Sequence, residues 1–332
     1  MAQEAPKMTA AVVERYGGPD VVQIKQIPKP VVKDNEILVA IRATTVSRGD
    51  ARVRGLNVPY GFGVMAPLAL GFGGPRTSVL GTEFAGTVEA VGGKVQRFKV
   101  GDAVFGFPGS AMGCHAQYRT IAEDGPVALK PANVTFEQAA ALSFGGSTAL
   151  DFLQRAKLKE GERILINGAS GCVGIAAVQI AKVMGAHVTA VCSADNAELL
   201  RSFGADVVID YAAQDFTQNG ETYEVIMDNA GDSPYARCKS SLRAKGRLLL
   251  VAGDLPGILY SIWTNLFSDK SVFAGPASEK PELIYRLADM AAAGQYRSCI
   301  DRTLPLQQIA EAHAYVDGGH KKGSVVISIP QA

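Results

Sequence analysis

The run Ile164-Leu165-Ile166-Asn167-Gly168-Ala169-Ser170-Gly171-Cys172-Val173-Gly174, continued from Ile175 to Met184, decides the fold. It opens on a short apolar stretch without alternation, the pattern of a parallel strand covered on both faces. Three glycines follow at a spacing of three, and Ile175, Val178, Ile180, Ala181 and Met184 then lay an apolar face along a helix. In such a strand–turn–helix unit one glycine permits the tight turn, one lets backbone N–H groups approach a pyrophosphate, and one lets the helix pack on the sheet. The anion rests on the helix N-terminus, where unpaired N–H groups and the helix dipole favour negative charge. Gly168, Ala169, Ser170, Gly171, Cys172, Val173 and Gly174 are therefore the candidate cradle of a dinucleotide. Working outward, His187 to Val191 and Val207 to Tyr211 read as further strands with a helical stretch between them. That β-α-β-α-β context makes the glycine motif selective, which it is not alone.

The chain of 332 residues has room for two domains. A hydrophobic content of 47% with 20% charged residues is ordinary for a soluble globular protein. A net charge of +1 leaves no electrostatic footprint for nucleic acid or an anionic membrane. Cys114, Cys172, Cys192, Cys238 and Cys299 are scattered and form no C-x-x-C pair, which implies reduced thiols and a cytoplasmic setting. The segment Met-Ala-Gln-Glu-Ala-Pro-Lys has no apolar core of a signal peptide, and no apolar run reaches transmembrane length.

Residues 1–6 read as a frayed tail. Thr9 to Arg15, Val21 to Gln26 and Ile37 to Ala43 read as short strands separated by Gly and Pro, so the first part is antiparallel and β-rich. Residues 55–80, rich in Gly and Pro and carrying Tyr60, Phe62, Met65 and Phe72, read as a long apolar loop that walls a substrate cleft or meets another subunit. Thr135 with Gln138 three residues on is a capping box opening an Ala-rich helix. From there the pattern is α/β, with parallel strands at Tyr223–Asp228, Gly246–Val251 and Ser271–Ala274. Leu255 to Phe267, with Tyr260 and Trp263, is an apolar stretch for packing, a dimer contact or a share in a pocket. A last strand runs from Ser324 to Ile329. These features predict a cofactor domain over 133–277, inserted into a β-rich domain made of 1–132 and 278–332, with a ligand cleft between them.

Gly81-x-Glu83-x-x-Gly86, Phe98-Lys99-Val100-Gly101-Asp102-x-Val104, the Gly168–Gly174 turn, Gly204-Ala205-Asp206-x-Val208-Ile209-Asp210-Tyr211 and Gly246-Arg247-Leu248 occur together. In this set the chain resembles the zinc-free quinone oxidoreductase branch of the medium-chain dehydrogenase/reductase superfamily, over nearly all of residues 8–329. The resemblance implies an α/β protein in which a Rossmann doubly wound parallel sheet is inserted into a GroES-like catalytic domain. It also implies hydride transfer from NAD(P)H, and a homodimer.

Zinc-dependent members carry a His and two Cys as catalytic ligands. The matching positions here hold Thr82, Ser47 and Phe144, so no zinc is expected. Adjacent Cys114 and His115 make no tetrahedral site. Without a Lewis acid, the easy reaction is hydride addition to an acceptor already activated by conjugation, a quinone or an α,β-unsaturated carbonyl. The resemblance places the loop Ser47-Arg48-Gly49-Asp50 beside the nicotinamide. Two tyrosines often invoked at the substrate site align with Arg52 and Val58. Candidate catalytic residues are thus Ser47, Asp50, Arg52 as an oxyanion partner, and Tyr60 as a replacement two positions on.

Thr148 matches a family threonine near the nicotinamide, and Asn229 and Gly253 end parallel strands where ligands bind in such sheets. The end of the second strand, Val191-Cys192-Ser193, lacks the acid that NAD-selective folds use, and Ser193 with Tyr211 suits a 2′-phosphate. NADP(H) is preferred over NAD(H) on this ground, with Lys322 as a further source of positive charge; Asp195, Asn196 and Glu198 count against it. Alternatives are a dinucleotide-binding sensor without turnover, a carbonyl reductase or alcohol dehydrogenase, and, from Gly145-x-Ser147-x-Ala149, a hydrolase whose triad partners are lacking.

Overall fold

The alternating first segment forms β1 (Lys7–Val13), paired antiparallel with β2 (Val22–Pro28) in a two-stranded sheet. The computed structural model describes residues 6–331; residues 1–5 and 332, and with them most of the expected N-terminal tail, lie outside the described residues. β3 (Glu36–Val46) is the longest strand of the region and is buried along almost all its length. It leads into α1 (Arg48–Gly55), so Ser47–Asp50, read above as a loop, is the capped start of a helix. The Gly/Pro-rich stretch is mostly turns but holds one helical turn, α2 (Ala66–Leu70), opened by Pro67 in its first turn. Then follow β4 (Phe84–Val91), β5 (Ala103–Gly106), β6 (Tyr118–Ala122), β7 (Val127–Leu129) and α3 (Phe136–Ala140). The Thr135–Gln138 capping box on α3 forms as expected.

α4 (Ser143–Arg155) precedes the α/β part: β8 (Arg163–Asn167), α5 (Cys172–Val183), β9 (His187–Cys192), α6 (Ala197–Ser202), β10 (Val207–Asp210), β11 (Tyr223–Asp228), α7 (Tyr235–Cys238), β12 (Leu242–Leu250), α8 (Leu255–Phe267) and β13 (Ser271–Ala274). The six strands are parallel in the order β10-β9-β8-β11-β12-β13. This is the 3-2-1-4-5-6 order of doubly wound dinucleotide folds. Ile164, Leu165 and Ile166 of β8 are fully buried, which is why that strand carries no polar alternation.

The chain closes with α9 (Pro281–Ala292), β14 (Ile300–Pro305), α10 (Ile309–Asp317) and β15 (Ser324–Ser328). β15 enters a seven-stranded sheet of order β14-β15-β3-β4-β5-β7, with β6 also paired to β3. Its core gathers Ile37, Val39 and Ile41 of β3, Phe84 and Val88 of β4, and Val325 and Ile327 of β15.

The chain divides into two units, one formed by residues up to 58, 64–144 and from 279 onward, the other by 59–63 and 145–278. Residues 133–144 go with the first because α3 packs on β3, β4, β5 and β15. Residues 59–63 go with the second, where the Tyr60 carbonyl accepts the Leu255 N–H at 3.0 Å. Among the described residues no helix is long and apolar enough to cross a membrane.

Candidate functional site

In the second unit, β8 runs into the glycine turn and α5 leaves it. Gly168 takes φ +67°, a left-handed conformation, and a Cβ on it would stand 3.1 Å from the Ala230 nitrogen. A Cβ on Gly174 would lie 2.4 Å from the Gly168 oxygen, so only glycine lets α5 pack this closely on the turn. The Ala169 N–H donates to the Val191 carbonyl at 3.0 Å, tying the turn to β9. Gly171 is the N-cap of α5 and provides no side-chain cap, so the first-turn N–H groups of Cys172, Val173 and Gly174 face outward without intrahelical partners. Ser170 is half-buried beside them. This cradle fits the pyrophosphate of a nicotinamide dinucleotide.

Around the cradle, Asn167 Nδ2 donates to Asp228, Asp232 and Ser233, and Asn229 Nδ2 donates back to the Asn167 carbonyl at 3.0 Å. The Asn229 Oδ1 is buried without a partner, an acceptor available to a donor on a ligand. Burial raises the Asp228 carboxyl above the usual range, against the N–H groups of Ser233 and Gly231 and the Asn167 amide, which pull it down. Gly253 follows β12, and Thr148 is buried in α4. Ser193 follows β9 and Tyr211, largely exposed, follows β10. Lys322 belongs to the first unit, on the exposed turn before β15, with its backbone N–H on Asp301. Tyr60 is exposed and belongs to the second unit, whereas Ser47, Asp50 and Arg52 belong to the first.

In the first unit Ser47 and Asp50 come together as a reciprocal cap of α1. The Asp50 Oδ2 accepts the Ser47 N–H at 2.7 Å and its hydroxyl at 2.6 Å, while Oδ1 accepts the Gly81 N–H at 3.0 Å. Asp50 thereby ties Ser47 to the segment before β4 that bears Thr82. A Cβ on Gly49 would stand 3.2 Å from Ser47 Oγ and 3.7 Å from the Phe144 ring, so all three positions converge. A hydroxyl spent on a carboxylate, a threonine and a phenyl ring do not fit a zinc ion. Among the described residues no three His, Cys, Asp or Glu side chains gather to hold a metal.

Glu83, fully buried, receives the Thr45 hydroxyl on Oε1 and the Phe144 N–H on Oε2. Burial pushes its carboxyl up to about 7, opposed by these donors and by Lys321. His115 donates from Nε2 to the Thr45 carbonyl at 2.9 Å. Burial pushes the adjacent Cys114 thiol up to about 12, which makes it inert. Glu83 stands in the Gly81-x-Glu83 motif, but only the folding of β3 and α4 around it reveals its burial.

Arg52 sits one helical turn beyond Arg48 on α1, half-buried. Its guanidinium has no hydrogen-bond or ionic partner among the described residues. Burial first, and Arg48 second, pull it below the usual arginine value, and no carboxylate offsets them. It is a donor in want of an acceptor.

Two family models match the chain, the alcohol dehydrogenase GroES-like domain over residues 33–132 and the zinc-binding dehydrogenase over 203–327. The mouse (Mus musculus) NAD(P)H oxidoreductase RTN4IP1, mitochondrial, is 29% identical over 97% of this chain and 89% of its own length. The Arabidopsis thaliana NADPH-dependent alkenal/one oxidoreductase, chloroplastic, is 28% identical over 97% of this chain and 79% of its own length. Among solved structures, the quinone oxidoreductase from Coxiella burnetii superposes with a TM-score of 0.86 at 26% identity, covering 98% of this chain and 100% of that one. With the doubly wound sheet, the β-rich partner unit and these matches together, the chain belongs to the medium-chain dehydrogenase/reductase superfamily, alongside its quinone oxidoreductases.

Proposed function

We propose that this protein reduces quinones or α,β-unsaturated carbonyl compounds with a nicotinamide dinucleotide and without catalytic zinc. The observation that carries the reading is the convergence of Ser47, Thr82 and Phe144 where zinc-dependent relatives hold ligands. The relatives named for alkenal/one and for quinone reduction support the acceptor class.

The reduced nicotinamide, when bound, supplies the hydride. The chain's own residues do the rest. The Gly168–Gly174 turn and the start of α5 hold the pyrophosphate. Arg52, always protonated and short of a partner, donates to the acceptor oxygen on which negative charge develops. Its partial burial strengthens that bond relative to water. Ser47 has its one proton on Asp50 and so acts by positioning α1. A homodimer is part of the same proposal, supported by the exposed apolar face of α8 and the free edge of β13.

The test follows nicotinamide oxidation with a quinone, an enone and a simple aldehyde, each with and without chelator, in wild type and Arg52→Gln. Expected are quinone or enone turnover insensitive to chelator and a fall of roughly 10–100-fold in kcat/KM for Arg52→Gln, with dinucleotide binding retained. Turnover abolished by chelator, or confined to the aldehyde, would refute the proposal. Binding with no acceptor reduced would make the protein a nucleotide sensor.

A further inference from the structure

The helix that carries Arg52 is held at both ends. Its start is tied to Gly81 through the Ser47–Asp50 cap, and its end is held by Arg54, which is only 2% exposed. Arg54 Nη2 donates to Asp317 Oδ2 at 2.6 Å and Nε donates to the Gly17 carbonyl at 3.2 Å, while the Gly17 N–H returns a bond to the Arg54 carbonyl at 3.1 Å. Arg48 Nη1, at the first position of α1, donates to the Val316 carbonyl at 3.3 Å. Both arginines thus reach the last turn of α10, where the carbonyls and the helix dipole favour positive charge. One helical turn before Asp317 lies His313, fully buried, with neither ring nitrogen partnered among the described residues. Arg54 Nη1 is likewise buried and unpartnered, and the Arg54 charge acts on the His313 ring. Asp317 balances one cation here, and a second one beside Arg54 would have nothing to balance it.

We propose that Arg54, Asp317 and His313 are positioning residues for the reduction, fixing α1 against α10 so that Arg52 is in place to donate to the acceptor oxygen. The proposal rests on the role given to Arg52 above. Arg52 stands one turn after Arg48 and two residues before Arg54, so any shift of α1 on α10 carries it along. A neutral His313 leaves the Arg54–Asp317 pair undisturbed. A protonated His313 would repel the guanidinium and draw on the same carboxylate, and the hold on α1 would loosen. Burial first, then His115 and Arg54, keep the ring neutral until well below 6.5, so the hold is present above 6.5 and lost as pH falls. The other charged groups around α10 have occupations of their own. On α1, Asp50 is spent on Ser47 and Gly81. On the neighbouring strands and turns, Asp20 bridges Arg15, Lys25 bridges Glu14, and Glu36 bridges Lys33, while Arg42 is exposed. On β14, Arg302 lies over the Tyr315 ring and Asp301 takes the Tyr315 hydroxyl; Glu311, on α10 itself, is exposed.

Steady-state kinetics of the full chain on a double-mutant cycle of Arg52→Gln and Asp317→Asn test this, with Asp317→Glu as the variant that keeps the carboxylate. Asp317→Asn is expected to lower kcat/KM about tenfold where Arg52 is present and less than about twofold where Gln replaces it, with Asp317→Glu recovering most of the loss. The wild-type kcat/KM should fall on the acid side of its pH profile, and His313→Gln, which is neutral at every pH, should move that fall to lower pH. Urea midpoints at each pH separate these effects from unfolding, and the His313→Gln profile decides even where Asp317→Asn does not fold. Equal losses from Asp317→Asn in both backgrounds, or an acid-side fall unmoved by His313→Gln, would overturn the inference. Wild-type turnover by Arg52→Gln would remove the role of Arg52 and this inference with it, whereas a large loss in Arg52→Gln with none in Asp317→Asn would overturn the inference alone.

Discussion

Glu83 and His313 set opposing pH dependences inside the first unit. Glu83 has its carboxyl raised from 4.5 to about 7. The folded state therefore keeps a proton that the unfolded chain gives up, so the stability this proton contributes is fully present below 4.5 and is lost as pH rises through about 7. The loss amounts to about 3 kcal/mol. His313 is fully buried with neither ring nitrogen partnered, facing the His115 ring at 5.7 Å and the Arg54 guanidinium, which is itself paired with Asp317. Burial first, then His115 and Arg54, hold it well below 6.5, so its contribution is present above 6.5 and lost as pH falls. Glu83→Gln should abolish the decline between pH 4.5 and 7 and leave a profile that rises with pH, as read from urea midpoints. A variant whose profile still falls as pH rises would show that Glu83 does not titrate in this window. None of this is visible in the residue order. The pairing of Ser47 with Asp50 was there to be read as a cap, with a side-chain acceptor three residues on; the burial of Glu83 depends on β3 and α4 closing over it.

Periodicity and punctuation marked the elements of the second unit well. The apolar run of β8, the glycine spacing before α5 and the stretch from Ser271 to Ala274 in β13 each appear where the pattern placed them. α2 was hidden by the glycines and prolines around it, since a single turn carries no periodic signal. α8 was legible as an apolar segment, but which side of it meets water was not. Trp263, Leu266 and Phe267 are 61%, 71% and 69% exposed, and the two aromatic rings lie 4.4 Å apart between centroids. A face of this kind, beside a sheet edge that β13 leaves open, is expected to be covered by the same face of a second copy. Trp263→Glu together with Leu266→Glu should convert a two-chain particle into a one-chain particle by light scattering after gel filtration. A one-chain mass for the wild type would remove the dimer.

At the scale of the molecule, the insertion of one unit within the other could be anticipated, because the change in texture near Lys130-Pro131 and the return to strands after residue 278 both leave a trace in composition. The finer division could not, since α3 and the stretch 59–63 are assigned by what they pack on. The pairing of β15 between β14 and β3 has a consequence for synthesis. β3 leaves the ribosome early and β6 covers one of its edges at Glu36–Ala40, yet the same edge stays open at Ala43–Val46 until residues 324–328 emerge. The strands of the second unit, residues 163–274, come out as one uninterrupted run and can close their sheet while that edge still waits. Chains arrested after residue 300 should therefore show protease-resistant material from the second unit and a first unit that is still cut. Equal resistance in both would mean that β3 does not need its late partner. A nascent chain of this protein would thus spend the last stage of its translation with a finished second unit and an exposed end of β3, the interval in which a holding chaperone has most to protect.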